Sequence, residues 1–91
     1  MSNDNGNSAV VTGTSMVSID AKVEGFAASR LVVNNTGTTN YVFAKVNGTA
    51  TAGAGSVPVP PSSSVEWEMV GISTFSLIGS AASTVDWYSQ S

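Results

Sequence analysis

The sequence predicts an all-β domain: a compact antiparallel β-sandwich, jelly-roll or immunoglobulin-like, of about seven strands. Three observations carry that prediction. Apolar and polar residues alternate with period two, most clearly at 17–24 and 65–69, as in strands with one buried face. Clusters of Gly, Pro, Asn, Ser and Thr separate such segments at intervals of roughly eight to twelve residues. No window repeats apolar residues at spacings of three and four, so no crossover helix is available to support a parallel sheet.

Taken in order, residues 1–8 (Met-Ser-Asn-Asp-Asn-Gly-Asn-Ser) have nothing to bury and are expected to form a flexible polar arm, with the sandwich domain at 9–91. The start lacks both the basic and the apolar region of a secretory signal. Ala9 to Thr12 is a short apolar run suited to a strand or a docking arm, and Gly13 ends it. Val17, Ile19, Ala21 and Val23 then alternate with Ser18, Asp20, Lys22 and Glu24, which describes a half-buried strand. After the turn at Gly25 to Ala28, residues 30–49 read as a hairpin: a β-branched run enters Asn34-Asn35-Thr36-Gly37-Thr38-Thr39-Asn40 and leaves in a second alternating run. In that second arm Val42, Ala44 and Val46 face one way and Tyr41, Phe43 and Lys45 the other. The two aromatics must therefore meet a second sheet or a partner.

Thr49 to Ser56 is a loop of small residues, and Val57-Pro58-Val59-Pro60-Pro61 is restricted to an edge strand or an extended connection, since proline cannot donate to a ladder. Val65, Trp67 and Met69 are expected on a core face opposite Glu66 and Glu68. A strand through Phe75 and Leu77 follows, then a small-residue turn at 80–83. The last strand sets Val85 and Trp87 against Asp86 and Tyr88.

The 91 residues make one domain with a modest core, because a chain this short buries only about 60–65% of its unfolded surface. No cysteine is present to supplement that core with a disulfide. Only 10% of the residues are charged, so the surface is polar but nearly uncharged. Three basic residues against six acidic ones, net charge −3, lack the footprint needed to neutralise phosphates. Neither nucleic acid nor an anionic membrane is an expected partner. The sequons at Asn34 and Asn47 have meaning only in a eukaryotic secretory setting.

Histidine and cysteine are both absent, which removes the commonest general base, thiol nucleophile and transition-metal ligands. Glu66 and Glu68 project from one face and offer paired carboxylates for glycoside hydrolysis or calcium; the plainer reading is the solvated face of an amphipathic strand. No G-x-S-x-G motif occurs, and Gly53-Ala54-Gly55 has no helix behind it to make a phosphate loop. The expectation is a protein that is not an enzyme and has no cofactor and no metal. Trp67 reads as core, while Tyr41, Phe43, Trp87 and Tyr88 are candidates for an interface.

The stretch from Leu31 to Val46, followed by Thr49-Ala-Thr, Val57-Pro-Val-Pro, Val65-Glu-Trp and the strand from Thr74 to Ser80, resembles small tailed-phage virion structural proteins. The chain ends in Tyr88-Ser-Gln-Ser, without the glycines that often close such chains. The resemblance implies a decoration or cement protein of the phage head, located on the capsid surface of the virion. It further implies the major capsid protein as partner and a homo-oligomer, with a trimer favoured. Under that reading Ala9, Val10, Val11, Tyr41, Phe43, Trp87 and Tyr88 are the expected contact residues. The alternative is a carbohydrate- or receptor-binding sandwich of a phage tail or fibre, with Tyr41, Tyr88 or Trp87 as its stacking platform.

Overall fold

The computed structural model describes residues 4–12 by their backbone and residues 15–53 and 55–91 with their side chains. Eight strands run along them: β1 (Asp4–Thr12), β2 (Val17–Asp20), β3 (Ala28–Asn35), β4 (Val42–Val46), β5 (Val57–Val59), β6 (Ser63–Ile72), β7 (Thr74–Gly79) and β8 (Ser83–Gln90). They form two antiparallel sheets, a first in the order β1-β8-β3-β6 and a second in the order β2-β7-β4-β5. The pairs are nested, β1 with β8, β2 with β7, β3 with β6 and β4 with β5. A long hairpin paired this way and folded over into two sheets is a jelly roll, which decides between the two kinds of sandwich expected. From Asp4 onward the polar segment read as an arm is a strand laid along β8, with Asp4 opposite Gln90 and Gly6 opposite Tyr88.

Nested pairing sends most connections from one sheet to the other, and this corrects the reading of residues 30–49 as a hairpin. β3 belongs to the first sheet and β4 to the second. The Asn-Thr-Gly cluster between them is a corner joining the sheets, and its turn chemistry serves either purpose. Asn35 fixes that corner. It is fully buried, its Nδ2 donates to the carbonyls of Asn40 and Val59 at 2.9 and 3.1 Å, and its Oδ1 accepts from the Gly37 amide at 3.0 Å and the Ser83 hydroxyl at 2.8 Å. All the polar capacity that burial would otherwise strand is thereby satisfied.

Asn47 does the same work at another corner. Its Oδ1 accepts from the amides of Ser73 and Thr74 and its Nδ2 donates to the Gly71 carbonyl, so it latches the point where β6 leaves the first sheet and β7 enters the second.

Between the sheets lie Leu31, Val33, Val42, Ala44, Val59, Ile72, Phe75, Leu77, Val85 and Trp87, joined by Ala21, Val23 and Ala28. On β4 these are Val42 and Ala44, which the sequence set on one face opposite Tyr41 and Phe43. Phe75 of the second sheet meets Trp87 of the first edge-on, with ring centroids 5.0 Å apart, a geometry that adds about 0.5–1.5 kcal/mol beyond area burial. The Trp87 Nε1 has no hydrogen-bond partner among the described residues.

Met69 departs from expectation. Between Glu68, opposite Arg30, and Ile72, opposite Ala28, β6 carries three residues against one on β3. This bulge, with Gly71 at a φ of +88°, swings the strand round and leaves Met69 and Val70 exposed.

Candidate interaction surfaces

Two outer faces result, and they differ in chemistry. On the second sheet, Phe43 pairs with Pro58 on one side and Ile78 on the other. These three make an apolar row across β5, β4 and β7. Met16, directly before β2, and Tyr41, directly before β4, are both more than a third exposed, and the Tyr41 ring lies 6.4 Å from that of Phe43. Tyr41 and Phe43 are thus turned away from the core, and the other sheet does not cover them. Further along the same face the Ser76 hydroxyl is buried under the loop that follows β4. It donates to the Gly48 carbonyl at 2.7 Å and accepts from the Ala50 amide at 2.6 Å, so this end of the sheet is closed while the aromatic end is open.

On the first sheet the outer face is polar. Across β6, β3 and β8 the register gives rows of Glu68, Arg30 and Gln90, then Glu66, Val32 and Tyr88, then Ser64, Asn34 and Asp86. Arg30 donates to both oxygens of Glu66, at 2.8 and 3.3 Å, and to Gln90 Oε1 at 3.0 Å. Its guanidinium also lies 5.8 Å from the Tyr88 ring centroid. The hydrogen bonds from Arg30 hold the Glu66 carboxyl below its ordinary value, and Glu66 in turn raises Arg30. The two carboxylates singled out in the sequence do share a face. One of them is committed to an arginine, which the sequence did not reveal because Arg30 is 36 residues away. Among the described residues no group of three metal-ligating side chains converges.

The residues expected at an interface therefore separate. Tyr41 and Phe43 belong to the apolar face of the second sheet, and Tyr88 to the polar face of the first. Trp87 is a correction: it is only 7% exposed, because odd-numbered positions of β8 point inward, and its ring completes the core. Ala9, Val10 and Val11 lie in β1, and their side chains are outside the described residues. Trp67 is half-buried and packs against the core.

No protein-family description and no curated protein matches this chain. Among solved structures it is similar to one reported under the description "Bacillus endospore appendages form a novel family of disulfide-linked pili". The TM-score is 0.57 over 99% of this chain and 82% of that one, at 14% sequence identity. At that identity the likeness is one of fold.

Proposed function

We propose that the chain is a non-enzymatic structural protein that associates through the apolar outer face of its second sheet and decorates the surface of a larger assembly. The observation that carries this is the row of Pro58, Phe43 and Ile78 extended by Tyr41 and Met16. Contiguous apolar surface of this kind marks a site that a partner covers, and aromatic residues and methionine are enriched in such sites. A nearly uncharged chain also meets few ion-desolvation penalties on docking. The similar fold was reported from disulfide-linked pili, and with no cysteine in this sequence these residues cannot form such links.

The finer reading follows the sequence resemblance. The assembly is a tailed-phage head, the face docks on the major capsid protein, and the chain binds as a homo-oligomer, a trimer being favoured. Mass spectrometry and electron microscopy of particles from the source provide the test. The chain should be a stoichiometric virion component on the head, and Phe43→Asp should abolish its occupancy while leaving its own melting temperature within a few degrees. Absence from the particles refutes the phage reading. Full occupancy by Phe43→Asp refutes the assignment of the face.

A further inference from the structure

The polar face of the first sheet holds a concavity of about 350 Å³ bordered by Val32, Asn34, Ser64, Asp86, Trp87 and Tyr88. Its volume falls in the range of small-molecule sites. From its composition we infer that it is a binding site for a neutral saccharide. This inference is independent of the docking surface proposed above, which lies on the opposite side of the sandwich.

Four features define the ligand. Val32 and the 38%-exposed Tyr88 are cross-strand neighbours, an apolar pair against which the C–H face of a pyranose can stack. Beyond Tyr88 the register position on β1 is Gly6, which carries no side chain. In the next row Asn34 stands between Ser64 and Asp86. The Asn34 amide, the Ser64 hydroxyl and the Tyr88 hydroxyl make no hydrogen bond among the described residues. An amide, hydroxyls and a carboxylate beside an aromatic ring supply both donors and acceptors, as vicinal sugar hydroxyls require.

The charge of the ligand follows from Arg30. It is the one cation on this face among the described residues, and its donors already serve Glu66 and Gln90. An anionic ligand would lie against the Asp86 carboxylate, with the Arg30 donors already engaged, so a phosphate or acidic sugar is disfavoured.

Titration of the ¹⁵N-labelled protein with glucose, galactose, N-acetylglucosamine and their disaccharides, followed by amide shifts, tests this. At least one neutral sugar should give saturable shifts centred on residues 32–34, 64 and 86–88, with a Kd on the order of 1 mM. Asn34→Ala and Tyr88→Ala should each weaken it by about tenfold or more, whereas Tyr88→Phe should retain most of the stacking and Tyr41→Ala should change nothing. N-acetylneuraminic acid should not bind. The inference is overturned if no neutral sugar gives a saturable shift, if the shifts map to another face, if Asn34→Ala and Tyr88→Ala bind normally with unchanged melting, or if the acidic sugar binds equally well.

Discussion

Asn34 and Asn35 are neighbours of identical chemistry with opposite roles. Asn35 carries four hydrogen bonds in a fully buried corner, so Asn35→Ala strands two carbonyls, an amide and a hydroxyl away from water. With each orphaned buried group costing about 1–3 kcal/mol, the loss should be about 3 kcal/mol or more in denaturant unfolding. Asn34→Ala, on the outer face, should stay within about 0.5 kcal/mol. A small effect at Asn35 would show that the corner is held by other contacts. The sequence placed both residues in one turn cluster, and nothing local told that Asn35 leads to a corner of four partners drawn from β5, β8 and the intervening loop.

The same scale governs pH. Glu66 is held below its ordinary value of 4.5, chiefly by the hydrogen bonds from Arg30. Asp20 is held below 3.8, chiefly by the Lys22 amide and also by the Lys22 side chain, 3.0 Å away. A carboxyl with a lowered folded pKa stabilises the fold above its unfolded value, and that contribution is lost as pH falls through the folded one. Stability should therefore fall as the pH drops below about 4.5, and Glu66→Gln should flatten part of that slope without altering the plateau at neutral pH by much, since the pair is solvent-exposed. An unchanged acid limb in Glu66→Gln would remove Glu66 from the account.

At the scale of elements, alternation located the strands and proline correctly confined β5 to an edge, because both signals are written within a few residues. Partners were not so written. The misread hairpin at 30–49 has the turn residues a hairpin needs, and Met69 sits in phase with Val65 and Trp67 until the bulge opposite Ser29 breaks the phase. β1 shows the same limit, since Asp4 to Ser8 lacks apolar residues and its strand exists through backbone pairing with β8. That pairing changes what a truncation measures. Deleting residues 1–12 exposes the full edge of β8, beside the core residues Val85 and Trp87, and an uncovered edge invites association between copies. The shortened chain should melt lower and form soluble aggregates visible by size-exclusion chromatography. Equal melting and a clean peak at the full-length oligomeric state would mean that β1 contributes nothing to the folded domain.

For the whole molecule the nested pairing imposes a symmetry that no single strand displays. The partner numbers in each of the four nested pairs sum to nine, and Asp4 lies opposite Gln90, so the first and last described strands run side by side at the chain's ends. Suppose the ends are joined by a Gly-Ser linker of about four residues and the chain is opened between Ala52 and Gly53, both exposed in the loop between β4 and β5. The strands then run in the order β5, β6, β7, β8, β1, β2, β3, β4. Renumbered from the new start, the pairs again sum to nine, and each sheet takes the strand order the other had. The permuted chain therefore has the same mixture of local and distant pairings, the quantity that governs how fast small domains fold. It should fold to the same sandwich, with an unchanged far-UV spectrum and a refolding rate within about tenfold of the original. Cutting within β8 instead, between Val85 and Asp86, severs a strand paired on both sides and should prevent folding. If the loop-opened chain fails to fold while its composition and contacts are intact, then the β4–β5 hairpin must form first and seed the remaining pairs.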